Sequence, residues 1–191
     1  MANIGDGYGS ECHLLRWMGR HRRLFDQLVS KAVGKPGEPI RWLDFNFNPN
    51  RLWPDAELKG FEFLYGRPGL KPHWEDFWPT RGGIQNWDAI GWIGAEPQQE
   101  LLLLEAKAHI AEMKSNCGAS PNGGLPKIQR AFDEVKTSVG SNQQADWTRG
   151  YYQGANRIAA LYFLQKEKVP NRLLFVYFLG DSFPGKECPR T

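Results

Sequence analysis

Glu100-Leu-Leu-Leu-Leu-Glu-Ala-Lys107, preceded by Asn86-Trp-Asp-Ala-Ile-Gly-Trp-Ile-Gly94 and followed by Ala108-His109, decides how the chain is read. Four consecutive leucines bounded by polar and turn-forming residues predict a buried strand. Side chains alternate along a strand, so Glu105, Lys107 and His109 are expected on one face, and Leu102, Leu104 and Ala106 on the other. Asp88–Ile93 is expected as the neighbouring strand, joined through a turn around Gly94-Ala-Glu-Pro97 into a hairpin. Asp88 then lies beside Glu105. An acid and a lysine at the end of a buried strand are costly to place there without a purpose. The alternative is a solvated Glu105–Lys107 pair on an edge strand.

Two carboxylates with an open side suit a hard divalent ion, Mg²⁺ or Mn²⁺, that keeps several waters. The backbone carbonyl of Ala106 could add a third oxygen. Lys107 would then stand near a metal-bound water or near charge developing on a phosphate, an arrangement for metal-assisted phosphodiester hydrolysis. Asp88, a gap of 16 residues, then Glu105-Ala106-Lys107 resembles the motif of the PD-(D/E)XK nuclease superfamily. Trp87 stands where that motif often has proline, a position that varies within the superfamily. The resemblance implies a restriction-endonuclease-like αβββαβ core, with a mixed central sheet flanked by helices. It implies Asp88 and Glu105 as metal ligands and Lys107 as the residue that assists the water.

The chain has 191 residues and is expected to form one domain, with a loose start over 1–9, an irregular insertion over 46–86 and an irregular tail over 181–191. Hydrophobic residues make up 41% and charged ones 24%, as in an ordinary folded protein. A net charge of +3 describes no global polycation. Cys12, Cys117 and Cys188 are too few and too scattered for a zinc site or a disulfide framework. They fit a reducing cytosol. The start lacks the basic and apolar regions of a signal peptide, and no apolar run is long enough to span a bilayer. A cytoplasmic location without a membrane is therefore expected.

From Glu11 to about Val33, Leu14, Leu15, Met18, Phe25, Leu28, Val29 and Ala32 recur at helical spacing and predict one helix after Ser10. Glu11 falls on the same face as this stripe and is expected to point inward. It is either an acid favoured by the helix dipole or, as in some resolvase-like members, a further metal ligand. Arg16, Arg20, Arg22 and Arg23 form a basic cluster on that helix, either a solvated face or a contact to nucleic-acid phosphates. Ile40–Phe45 and a short stretch at about Phe61–Tyr65 read as strands. Six of the eight tryptophans fall between residues 42 and 92. They either fill a satellite core or stack on unpaired bases.

Leu125, Ile128, Phe132, Val135 and Val139 mark an amphipathic helix, and Tyr151 to about Lys168 a largely buried one. Gln153 on the latter resembles a glutamine that some superfamily members place near the metal, or is a buried amide bonded to backbone. Leu173–Leu179 reads as a buried strand. His109 is a candidate for phosphate contact or proton transfer, or a structurally bonded histidine. The expected activity is a metal-dependent nuclease acting on nucleic acid, DNA ahead of RNA. A catalytically inactive nucleic-acid-binding or structural protein on the same fold is the alternative, and chemistry on another phosphate ester is a third. A homodimer is an open expectation, because cutting both strands of a duplex often uses two copies.

Overall fold

The computed structural model describes residues 7–43, 58–81 and 85–190. In chain order these form α1 (Ser10–Arg20), α2 (Arg22–Ala32), β1 (Ile40–Trp42), β2 (Leu58–Lys59), a 3₁₀ turn (Glu62–Leu64), α3 (Leu70–Phe77), β3 (Asn86–Trp87), β4 (Ala89–Ile93), β5 (Glu100–Lys107), α4 (Ile110–Met113), α5 (Leu125–Ser138), α6 (Tyr152–Lys166) and β6 (Asn171–Tyr177). The protein is mixed α/β. Its main sheet has four strands in the order β1-β4-β5-β6, and β2 pairs with β3 separately. The chain divides into two compact units.

The first unit takes the described parts of Met1–Glu57, Trp87–Glu112 and Pro170–Thr191. The leucine run forms β5, and Leu101–Leu104 are fully buried, each burial stabilising the fold by about 1.5–3 kcal/mol. β4 and β5 form the expected antiparallel hairpin, with Ala89 opposite Leu104 and Ile93 opposite Glu100. β6 runs parallel to β5 on its other side. β5 is thus an interior strand, which removes the solvated edge-strand alternative for Glu105 and Lys107. Leu102, Leu104 and Ala106 face a core built with Leu14, Phe25, Val29 and Val33, the side that alternation predicts.

β1 pairs antiparallel with β4 and places Trp42 opposite Gly91. A Cβ at Gly91 would lie 3.2 Å from both Ile40 and the Trp42 ring, so any other residue would push one of them by a few tenths of an ångström. The Trp42 indole N–H donates to Asp26 at 2.8 Å and ties β1 to α2. Residues 44 and 45 of the expected first strand lie outside the described residues, as does Trp53.

Three expectations in this unit are corrected. The helix over 11–33 is two helices, broken at His21, which has φ −119° and ψ 26°. Gly19 weakens the helix there, and Arg20, Arg22 and Arg23 crowd like charge around the break. The apolar stripe is narrower than its periodicity implies, for Leu15 and Leu28 are exposed. Glu11, four residues before Leu15, is exposed with it rather than turned inward. Finally, β6 is not fully buried: six of its seven residues are half-buried and Tyr177 is exposed, because β6 is the last strand of the sheet.

The second unit takes the described parts of Leu58–Asn86 and Met113–Val169. Its core is aromatic. Phe61 packs edge-on to Trp74 at 4.7 Å, Trp74 on Phe163 at 4.8 Å and Trp78 on Phe132 at 5.6 Å. Trp42, Trp74, Trp78 and Trp87 are buried, so these four fill cores and offer no face for stacking on bases. The stretch Phe61–Tyr65 is a 3₁₀ turn, not a strand: Phe61 and Leu64, three apart, are the buried pair. The insertion over 46–86 also contains α3, whose Leu70, Trp74 and Phe77 are buried at helical spacing. Pro72 hides that periodicity, yet it sits in the first turn, where no intrahelical N–H bond is lost. α5 and α6 lie where the apolar spacing puts them.

Candidate functional site

The hairpin register gives Asp88 its place. Asp88 sits in a bend immediately before β4, and continuing the pairing of Ala89 with Leu104 sets it opposite Glu105. The same register would pair Ala106 with Trp87, but β4 has ended by then. The Asp88 carboxylate takes over as acceptor and receives the Ala106 N–H at 2.6 Å. Within a strand, one residue's N–H and C=O point to the same side. The Ala106 carbonyl therefore lies on the same side of β5 as Asp88.

Glu105 is 1% exposed. Burying a carboxylate costs several kcal/mol unless a partner and hydrogen bonds compensate. Lys107, on the same face two residues on, donates to Glu105 Oε1 as an ion pair. The Lys107 side chain is itself only 12% exposed, so the pair is held in a dry setting where electrostatic interactions are strong. Register places Phe175 beside Glu105 and Tyr177 beside Lys107 on β6, which walls the pair on that side.

The remaining candidates are distributed. Glu11 is exposed in the first turn of α1. Gln153 lies in the first turn of α6, in the other unit, and its backbone N–H donates to Ser115 Oγ at 2.8 Å. Arg16, Arg20 and Arg23 are exposed, and Arg16 donates to the Gly7 carbonyl at 3.4 Å. Arg22 is half-buried, 3.6 Å from Asp26 and above the Trp42 ring. His109 does not continue the face of Glu105 and Lys107, because β5 ends at Lys107. It is buried, with Nε2 3.4 Å from Glu112 and its ring edge-on to Phe183.

Sequence reasoning missed the groups that hold the C-terminal end of β5 in place. The Glu112 carboxylate accepts the N–H groups of Ala108 and His109 and the Ser10 hydroxyl at 2.6, 3.3 and 3.0 Å. Glu112 thereby caps α4 from its third position, the acidic half of a capping box. The available signal was an acid three residues after the N-cap position, obscured by the histidine that stands there. Asp181 lies 2.9 Å from His13 Nε2 and accepts the N–H groups of Gly9 and Ser182 at 2.9 and 2.8 Å. Burial pushes its carboxyl up, but these hydrogen bonds outweigh burial and hold it below the usual aspartate range. No sequence pattern links His13 to Asp181, 168 residues away.

Among the described residues, no group of three His, Cys, Asp or Glu gathers as a metal cluster. Asp88, Glu105 and the Ala106 carbonyl would offer a sparser oxygen set. Such a set fits Mg²⁺ or Mn²⁺, which retain several waters, better than zinc, which takes nitrogen and sulfur ligands. Comparisons with family models, curated proteins and solved structures find no match to this chain. The protein is therefore described by class, as a mixed α/β protein with a four-stranded mixed sheet. None of its described helices is long and apolar enough to cross a membrane.

Proposed function

We propose that the chain is a metal-dependent nuclease of the PD-(D/E)XK kind, hydrolysing phosphodiester bonds of nucleic acid, with DNA the first substrate to test. One observation carries this reading: at the C-terminal end of an interior strand Asp88 accepts the Ala106 N–H, and the adjoining Glu105, 1% exposed, is paired with Lys107. The element order supports it. Helices, a strand, an antiparallel hairpin, helices and a strand parallel to the hairpin's second arm follow the restriction-endonuclease-like core that the resemblance implies.

Asp88, Glu105 and the Ala106 carbonyl would hold Mg²⁺ or Mn²⁺. The bound ion would polarise the phosphate and lower the pKa of a water. Lys107 is rigidly placed by Glu105, so its ammonium orients the attacking water or neutralises charge on the phosphate without reorganisation. The Ala106 N–H fixes the Asp88 carboxylate and so keeps the donor set in register with the strand. Exposed Arg16, Arg20 and Arg23 offer phosphate contacts that position nucleic acid without reading its sequence.

The test is cleavage of duplex, single-stranded and branched DNA, and of RNA, with Mg²⁺ or Mn²⁺ and with EDTA as control. Metal-dependent cutting that falls roughly 10²–10³-fold in Lys107→Ala is the expected result. Mn²⁺ binding lost in Glu105→Ala is the second readout. Metal binding without cutting would point to another phosphate ester. Failure of both readouts would leave a protein that binds nucleic acid without turnover, or a structural one.

A further inference from the structure

We infer that the chain forms a two-fold dimer by antiparallel pairing of β6 with β6 of a second copy, extending the four-stranded sheet to eight strands. The Leu101 N–H donates to the Pro170 carbonyl and the Phe178 N–H to the Lys107 carbonyl, both at 2.8 Å. These two bonds fix the phase of the parallel ladder. Even-numbered residues of β6 bond to β5, and the N–H and C=O groups of Leu173, Phe175 and Tyr177 point away from it. Those three residues' backbone groups have no partner among the described residues.

Soluble proteins blunt such an edge with short strands, charge, proline or a bulge. The opposite edge follows that rule, since β1 has three residues and exposes Arg41. β6 does not. It runs Leu-Leu-Phe-Val-Tyr from Leu173, without proline. Its one charge, Arg172, is engaged by Glu100 and the Val33 carbonyl. Along this edge runs an apolar groove of about 300 Å³, lined by Trp17, Phe25, Leu28, Leu174, Phe175 and Tyr177. Leu24 and Leu28, one turn apart on α2, are 48% and 50% exposed.

A second copy fits all of this at once. A two-fold axis normal to the sheet, midway between Leu174 and its copy, sets Leu173 opposite the partner strand's position 175. Both edges are then paired through the outward-pointing groups, with no like charges opposed. The same axis keeps both helix layers on one face, so α2 meets its own copy through Leu24 and Leu28. The contact is isologous and closes, whereas a head-to-tail contact would propagate. Half-exposed β6 with exposed Leu24 and Leu28 supplies apolar surface toward the roughly 800 Å² per partner that a standard stable interface buries.

The experiment is light scattering after gel filtration of the full chain, with amide hydrogen exchange on the same samples. A mass of twice 21.8 kDa is expected. Leu24→Glu with Leu28→Glu changes two exposed positions, spares the core and weakens the dimer by about 100-fold or more. Leu173→Pro removes an outward N–H while leaving the β5 bonds in place, and it too should be monomeric. The Leu173, Phe175 and Tyr177 amides are expected to be protected in the dimer and to exchange quickly in the double Glu variant, while Leu174 and Val176 stay protected in both. A monomeric native chain at tens of micromolar, about the range where a contact worth roughly 6 kcal/mol associates, would overturn the inference. So would a dimer that survives both variants, or protection of those three amides in a monomer. None of these outcomes depends on nuclease activity.

Discussion

At its N-terminal end β5 holds Glu100 between two cations, whereas at its C-terminal end the buried Glu105 is paired with Lys107 and the neighbouring Ala106 N–H is held by Asp88. Glu100 is bonded to Lys35 at 2.6 Å and to Arg172 at 2.5 Å. Arg172 also donates to the Val33 carbonyl. That arrangement joins the loop after α2, β5 and β6, and every charge in it has an evident structural partner. At the other end Glu105 is deeper, and a second carboxylate, Asp88, holds the N–H of the next residue, Ala106. In a purely structural arrangement each acid is already matched by its own donor; under the nuclease reading a divalent cation would use both. One strand thus carries a structural charge cluster at one end and a candidate chemical one at the other.

The largest expected effect breaks the C-terminal end. Lys107→Ala removes a cation from a carboxylate that is 1% exposed, and it should lower stability by roughly 3 kcal/mol in urea unfolding. Mn²⁺ should stabilise this variant more than the native chain, because the ion supplies the positive charge that was removed. Equal or absent stabilisation would mean that the carboxylates meet for a structural reason, and the contrast between the two ends would collapse.

Asp88 sharpens the same contrast. Asp88→Ala deprives the Ala106 N–H of its acceptor and should cost about 1–3 kcal/mol. Asp88→Asn keeps an acceptor oxygen and should recover most of that stability. Both should lose Mn²⁺ affinity, as read by calorimetry. Asp88→Asn with unchanged Mn²⁺ binding would reduce Asp88 to a backbone acceptor.

How much of this was legible in the sequence depends on distance along the chain. The leucine run announced an interior strand, and the short link to Asp88 announced a hairpin, so Asp88, Glu105 and Lys107 could be gathered from local pattern. A strand's depth is another matter. Leu173–Tyr177 reads as apolar whether it lies inside a sheet or at its edge, and only the strand order distinguishes the two. Glu11 failed for a related reason: a 3.6-residue period defines a stripe but not how much of its width a neighbour covers, and Leu15 and Glu11 lie on the uncovered side. Pro72 masked α3, and the His13–Asp181 contact is a product of the closed fold alone.

The smallest expected effect concerns the N-terminal end. The Arg172 hydrogen bond, then that of Lys35, holds the Glu100 carboxyl below its ordinary value of 4.5, against an opposing push from burial. A carboxyl lowered by folding stabilises the fold above the unfolded pKa. That contribution is lost as the pH falls from 4.5 through the lower folded value. Glu100→Gln should therefore be less stable than the native chain at neutral pH, by about 1 kcal/mol for a pair this near the surface. The gap should close below pH 4.5 as the native carboxyl protonates. Paired urea titrations at neutral and acidic pH would show it. A gap that persists in acid would mean that Glu100 acts by packing, and that the charge arrangement at this end does less than its geometry implies.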